Sequence, residues 1–390
     1  MPNLAEKSIC TGCTACYSIC PVHCIEMKKD ENGFAFPYIG ENSRCINCGR
    51  CESVCPVLKE ISWGQNQPAA YAAMSDDEAM RMESSSGGIF TELAREIIGQ
   101  GGVVYGAAYD ETFTVKHFCA TNEEELQKLR GAKYAQSDLA DTFSEIIYRL
   151  DQGQKVLFSG TPCQVGGLKA LAGDDENLFC VDFVCHSVPS PKAWKEYVRY
   201  RAQKDNNGEY PVSINLRSKN TGWSRYQYSN VFEYENGVQH SATSSQSLYM
   251  KLFVGGYISR TSCENCNFKG YNRLSDFTIG DFWGIWDIDS VMDDNKGTSV
   301  VLVHSEKAQK IWDNINSSIK FKEVSLQQAS QQNTAMLVSF KSNPDRDLAL
   351  KKIQEGKIEE CEELFVEVNT SKPSLASRIK NKVKKIINLK

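Results

Sequence analysis

Cysteine is the residue type with the most chemistry to offer, and it is placed in a pattern. Cys10, Cys13, Cys16 and Cys20 precede Pro21, and Cys45, Cys48, Cys51 and Cys55 precede Pro56. The spacing C-x2-C-x2-C-x3-C-P therefore occurs twice, an internal repeat offset by 35 residues. Three thiolates on one tight loop can take three irons of a [4Fe–4S] cubane. The fourth cysteine, three residues further on, is expected to begin a helix that points away and so to serve the other cluster. This assigns Cys10, Cys13, Cys16 and Cys55 to one cluster and Cys45, Cys48, Cys51 and Cys20 to a second. Proline after the last ligand stops the chain from continuing in the loop's conformation.

The spacing is that of a bacterial two-cluster ferredoxin module, here expected over residues 1–60. Zinc is the competing reading, but a structural zinc site asks for two C-x2-C pairs, and two quartets each ending in proline fit that badly. Between the quartets, IEM (25–27) and FAFPYI (34–39) flank the turn KKDENG and predict a two-stranded lid over the clusters. Cys24, four residues after Cys20, reads as a small buried residue rather than a fifth ligand. Two clusters in one module make a wire, with electrons entering at one end and leaving at the other.

What must position this chemistry is a chain of 390 residues with 16 Cys, 44 Lys+Arg against 49 Asp+Glu and a net charge of −5. The length allows two or three domains, and the ordinary composition excludes wholesale disorder and a broadly basic nucleic-acid binder. No apolar run reaches the ~18–20 residues of a membrane span, and the N-terminus lacks the pattern of an export signal. Closely spaced thiols in a chain without such a signal point to metal ligation in a reducing cytoplasm. Residues 58–68 read as a linker. Strands are predicted at 70–74, 103–108, 156–160 and 178–184. Helices are predicted after Gly87–Gly88, at 138–151, 164–172, 190–203, 305–317 and 325–332, with two strands within 212–235. The fold class is mixed α/β or α+β: a small ferredoxin-type domain, then a larger domain over 69–345 that allows a subdivision near 150. Residues 346–390 form a helical or frayed tail. Its end, 372–390, is basic and amphipathic, and peripheral contact with an anionic membrane surface is set against a solvated tail.

A second set of cysteines lies further on. Cys163 follows a predicted strand in SGTPCQ, Cys185 ends the next in VDFVCH, and Cys263 and Cys266 form CENC. Successive parallel strands end on the same side, so Cys163 and Cys185 can converge, and the CENC loop could complete four thiolates. Buried strand-end thiols, a zinc site and a redox pair stand as alternatives. Cys119, Cys180 and Cys361 read as ordinary thiols. His186, beside Cys185, is a candidate hydrogen-bond donor to a cluster sulfur or a plain polar residue. Trp283 and Trp286 are candidates to cover a ring, or core. No Ser–His–Asp order and no P-loop is present.

In order along the chain, SSSGGIF (84–90), RGAKYAQSD (130–138), SGTPCQ (159–164), VCH (184–186), CENC (263–266) and SDFTIGDFWG (275–284) resemble the coenzyme F420 hydrogenase/dehydrogenase beta-subunit family. The resemblance runs from about Tyr71 to about residue 335. It implies FAD and a third [4Fe–4S] cluster held by Cys163, Cys185, Cys263 and Cys266. The flavin site would draw on Ser86, Gly87 and Gly88, on Lys133, Tyr134 and Ser137, and on Thr278, Gly280 and Asp281. Amides at Gly87–Gly88, where a helix opens, can hold a pyrophosphate, and Lys133 can offset phosphate charge or polarise a flavin carbonyl. The implied function is an oxidoreductase that passes electrons between a hydride carrier, F420-like or other, and one-electron acceptors, with no side chain acting as a nucleophile. The alternatives are an electron-transfer subunit that docks on a partner reductase, or a scaffold with a rear zinc site. Expected partners are an electron-transfer protein or a hydride-carrying small molecule.

Overall fold

In this computed structural model the described residues are 2–41, 43–59 and 67–365. The predicted linker therefore lies largely, and the basic end 372–390 wholly, outside the described residues.

The N-terminal module runs α1 (Ala15–Ser18), β1 (Ile25–Lys29), β2 (Ala35–Ile39) and α2 (Arg50–Ser53). β1 and β2 pair antiparallel with Ile25 opposite Ile39, the predicted lid. The helices correct one expectation. Each spans the third cysteine of its quartet, Cys16 or Cys51, and ends before the fourth. Pro21 and Pro56 follow those fourth cysteines, and the fixed proline φ and missing N–H leave no helix to begin there. The chain instead turns after Cys20, with the His23 amide on the Cys20 carbonyl.

The remainder continues β3 (Ala69–Ser75), α3 (Glu78–Glu83), α4 (Ile89–Gly99), β4 (Val103–Tyr109), β5 (Val115–Ala120), α5 (Glu123–Leu129), α6 (Thr142–Asp151), β6 (Val156–Gly160) and α7 (Pro162–Ala172). Then follow β7 (Leu178–Phe183), α8 (Pro191–Asn206), β8 (Ser213–Ser218), β9 (Ser229–Glu233), β10 (Gln239–Thr243) and α9 (Leu248–Val254). The last elements are β11 (Phe277–Asp281), β12 (Ser299–Val303), α10 (Glu306–Ile315), β13 (Ile319–Glu323), α11 (Leu326–Ser330) and α12 (Arg346–Gln354). The helix expected from 138 starts only at Thr142, because Asp138 exchanges backbone hydrogen bonds with Val115 and His117 of β5.

Among the described residues, eight strands form one sheet in the order β13-β3-β12-β11-β7-β6-β4-β5. Its centre is parallel: β4 with β6, β6 with β7 and β7 with β11. β12 runs antiparallel to both β11 and β3, so β3 points the same way as the parallel strands. Their runs of Val, Leu, Phe and Ala are buried on both faces, as in VLFSG and LFCVDF. Apolar side chains of α4 and α10, among them Leu93, Ile97 and Trp312, cover one face. A three-stranded sheet, β10-β9-β8, packs its own aromatic core with α8 and α9 around Trp194, Tyr197, Phe232 and Tyr249.

This topology sets the site. Strands β3, β6, β7 and β11 all end at one edge of the large sheet, and that edge is where ligands sit in open α/β sheets. Cys163, Cys185, Asp281 and the loop at 84–88 all follow or close those strands. Among the described residues no helix is long and apolar enough to cross a membrane.

Candidate functional site

The cysteines gather into three groups. In the first, Cys10, Cys13, Cys16 and Cys55 line one cavity, together with Cys51. Burial pushes the Cys13 thiol up to about 12, and the charges of Cys10, Cys163 and Cys55 add to the rise. Burial likewise raises Cys16, with repulsion from Cys13, Cys10 and Cys55. In the second, Cys20, Cys24, Cys45, Cys48 and Cys51 line the adjoining cavity under Ile25 and Ile39 of the lid. Burial acts upward on Cys20, but the amides of Cys24, Val22 and Ile25 bring its thiol below the usual value. Cys24 lies against this group, its sulfur 3.5 Å from that of Cys20.

In the third, Cys163 stands in the first turn of α7. Its end is fixed by a capping box in which the Thr161 hydroxyl accepts from the Gln164 amide and the Gln164 side chain accepts from the Thr161 amide. Cys185 follows β7, and Cys263 and Cys266 lie on a short 3₁₀ turn and just beyond it. Burial drives Cys163 up to about 11 and Cys263 up to about 12. The Cys185 thiol is also raised by burial, with repulsion from Cys263, Cys163 and Cys266. Cys13 falls within the field of Cys163, so the first and third groups are neighbours. The approach depends on Gly167 of α7, where a Cβ would stand 2.9 Å from the Cys13 sulfur.

Desolvated thiols whose charges repel fit a ligand that brings positive iron. Beside them, Thr14 Oγ1, Ser262 Oγ and His186 Nε2 are buried polar atoms with no protein partner. Among the described residues no three His, Cys, Asp or Glu side chains are arranged to hold one metal ion. A single zinc would draw its sulfurs to ~2.3 Å, whereas in a cubane each thiolate takes a separate iron. The His186 ring packs against Phe253 and Phe340.

The residues expected around a flavin divide. Ser86, Tyr134 and Asp281 converge on two cations, Arg217 and Lys219, and the Gly280 carbonyl accepts from Ser86 Oγ beside them at 3.5 Å. Arg217 donates from one nitrogen to Tyr134 OH and from another to Asp281 Oδ2, each at 2.8 Å. Its guanidinium lies 4.4 Å from the Trp223 ring centre and 4.1 Å from that of Tyr228, and its Nε is buried without a partner. Lys219 Nζ donates to the carbonyls of Ser86, at 2.6 Å, and Arg81. Burial, with the charges of Arg81 and Arg217, brings its amine down to about 7. Arg81 is itself paired with Asp294, which leaves Asp281 as the carboxylate facing Arg217 and Lys219. An anionic cofactor fits this excess of positive charge. Trp283 stacks on Trp223, whereas Trp286 lies out on the surface. The only hint of the two cations in the sequence is the run RSK ahead of Gly222–Trp223.

The other expected contacts are engaged elsewhere. The Gly87 amide donates to Ser299 Oγ, and a Cβ there would stand 2.4 Å from the Ala73 carbonyl oxygen. This glycine lets the loop pack on the sheet. Gly88 caps α4 with positive φ. Lys133 Nζ donates to the Lys128 and Arg130 carbonyls at the end of α5. Ser137 Oγ accepts from Gln164, and Thr278 donates to Asp182 inside the sheet.

Three stretches match known families by description: residues 9–58 the "4Fe-4S dicluster domain", residues 70–143 "Coenzyme F420 hydrogenase/dehydrogenase, beta subunit N-term", and residues 153–329 the C terminus of the same subunit. A curated relative, one of the subunits of the F(420)H(2) dehydrogenase of Methanosarcina mazei, is 22% identical over 222 residues, which is 51% of this chain and 61% of the relative's length. A chain of the F420-reducing [NiFe] hydrogenase complex from Methanosarcina barkeri is 18% identical with a TM-score of 0.47, covering 78% of this chain and 94% of that one. With its two halves matched in order behind a 4Fe–4S dicluster domain, the chain belongs to the coenzyme F420 hydrogenase/dehydrogenase beta-subunit family.

Proposed function

We propose that this chain is a flavin- and iron–sulfur-dependent oxidoreductase that passes electrons between a two-electron hydride carrier and one-electron acceptors. The observation that carries the reading is the adjacency of the three cysteine groups, with Cys13 within the field of Cys163 and Cys51 lining both N-terminal cavities. Cys10, Cys13, Cys16 and Cys55 would hold one [4Fe–4S] cluster, Cys45, Cys48, Cys51 and Cys20 a second, and Cys163, Cys185, Cys263 and Cys266 a third. Bound at the carboxyl edge, a flavin supplies the exchange between a hydride pair and single electrons, which the clusters carry onward. Arg217 and Lys219 would hold its anionic part, with Tyr134 and Asp281 fixing the guanidinium, and Trp223 and Trp283 would wall the site from water. The buried, unpartnered Nε2 of His186, next in the chain to Cys185, would donate to a sulfur of the third cluster and favour its reduced form. Cys24 stays outside the ligand set.

Because the curated relative is named as one subunit of a dehydrogenase, a protein partner is proposed as the electron acceptor or donor. A flavin-loaded chain that neither reduces nor oxidises any small hydride carrier would favour the second reading, an electron-transfer subunit that works only when docked. The first test is the combined iron, sulfide, zinc and flavin content of protein purified without oxygen. About twelve irons, twelve sulfides and one flavin are expected from three cubanes. About eight irons with no flavin after reconstitution would overturn the rear half of the proposal.

A further inference from the structure

We propose that Arg260 is an electrostatic tuning residue shared by two iron–sulfur centres, its buried guanidinium raising the reduction potential of both the Cys10/Cys13/Cys16/Cys55 centre and the Cys163/Cys185/Cys263/Cys266 centre. The inference rests on the cluster assignment just proposed and adds to it a residue that is no ligand.

Arg260 is 1% exposed. Its backbone belongs to the rear cysteine loop: its amide donates to the Val188 carbonyl, and its own carbonyl accepts from the Cys263 amide. Its head belongs to the other module. Nε donates to the Cys10 carbonyl at 2.8 Å, one terminal nitrogen to the Ala35 carbonyl at 3.0 Å, and the other to Gln136 Oε1 at 2.8 Å. The guanidinium lies 4.2 Å from the Phe36 ring centre. Every one of these acceptors is neutral. A buried cation held only by neutral groups is costly, so this position calls for an anion nearby. In its surroundings the thiols of Cys10, Cys263 and Cys163 weigh more than Asp30, the carboxylate within its field. In turn its charge draws down the thiols of Cys10, Cys163 and Cys263 against the effect of burial. One guanidinium thus serves cysteines from two quartets.

A cluster gains negative charge when reduced, and net charge and nearby hydrogen bonds set its potential. A fixed cation between two clusters favours the reduced form of each, and arginine keeps its charge at any working pH. It acts on these two clusters more than on the Cys20/Cys45/Cys48/Cys51 one, to whose ligands it makes no hydrogen bond among the described residues.

The test compares Arg260→Gln and Arg260→Lys in the full chain, purified without oxygen. Iron and sulfide are counted, and the midpoint potentials are read by EPR-monitored redox titration. Arg260→Gln should keep its iron and lower two of three potentials by at least tenfold in the reduction equilibrium, about 59 mV for one electron. The third should stay, and Arg260→Lys should remain near the native values. Intact iron with unmoved potentials overturns the proposal. So does an equal fall in all three, or a fall in the lysine variant as deep as in the glutamine one, which would assign the effect to the fork of hydrogen bonds rather than the charge. If Arg260→Gln sheds iron, Arg260→Lys decides. Retained iron at near-native potentials supports the charge, and iron loss there too makes Arg260 a structural bolt. Fewer than three clusters in the native protein would instead remove the underlying assignment, and the native iron count shows that before any variant is compared.

Discussion

Lys219 gives a prediction in which the sign of the pH dependence is fixed by the structure. Its amine takes a proton at about 7 rather than the ordinary 10.5, because it is buried beside Arg81 and Arg217. At ~1.36 kcal/mol per pH unit, the buried ammonium stands up to about 5 kcal/mol above its solvated counterpart. That figure is net of the two carbonyls the ammonium touches. Between these two values the unfolded chain binds the proton and the folded chain does not. Stability of the flavin-free protein therefore rises with pH from about 7 to about 10.5 and is flat below that window. A flavin anion about 4 Å away would attract the ammonium by ~4 kcal/mol at an effective dielectric near 20, enough to restore protonation. Binding then takes up one proton above pH 7, and FAD affinity should weaken by up to about tenfold per pH unit as pH rises. The assay is FAD fluorescence quenching on flavin-free protein from about pH 6 to about pH 9, repeated with Lys219→Met. The variant should bind FAD at least tenfold more weakly at neutral pH and lose the slope. Lys133 provides the control. Its amine also lies near 7 through burial, but its partners are the carbonyls closing α5, so Lys133→Met should keep the slope. A Lys219→Met protein with the native slope would refute the reasoning, and a slope lost only in Lys133→Met would return the flavin contact to Lys133.

Three further outcomes are expected. Cys263→Ser should lose about four irons, one cubane, and keep the N-terminal pair; an unchanged iron total would sink the rear assignment. Cys24→Ala should retain all its iron, since the proposed quartet is complete without this sulfur, and loss of one cluster's iron would make it a ligand. Gly87→Ala places a methyl 2.4 Å from the Ala73 oxygen and 2.8 Å from the Ser299 nitrogen. It should cost ~1–3 kcal/mol, visible as a lower melting temperature, and a native melting temperature would show that the loop has more room than the packing allows.

The parts of the molecule legible in the sequence are those where chemistry or periodicity is local. Cysteine spacing announced the N-terminal module, and apolar runs such as VLFSG placed the central strands, whose parallel order brought Cys163 and Cys185 to one edge. Elements without a local signal escaped. Helix α5, EEELQKL, offers only Leu126 and Leu129 to the core and starts on the Asn122 cap. Strand β10, QHSAT, is a polar edge strand. In the flavin region residue types are legible but their partners are distant in sequence. The Gly87 amide donates to Ser299, and the Thr278 hydroxyl to Asp182, contacts that no local pattern announces. Arg260 is the extreme case, since the Cys10 carbonyl that fixes its head lies 250 positions away.

What those distant partners share is a charge pattern that the bare protein does not balance. Arg217 and Lys219 share Asp281, with Asp294 already paired to Arg81, while Arg260 hydrogen-bonds to neutral oxygens and is influenced more by cysteine thiols than by Asp30. Net charge could not have revealed this, because the chain as a whole is acidic. A buried cation without a matching anion is costly on folding grounds alone. The presence of such cations at two sites, each beside groups suited to an anionic cofactor, fits a bound cofactor that supplies the missing negative charge. The same reasoning separates the two sites experimentally. A change at Lys219 should move flavin affinity and its pH dependence while leaving the cluster potentials in place. A change at Arg260 should move two potentials and leave flavin affinity alone.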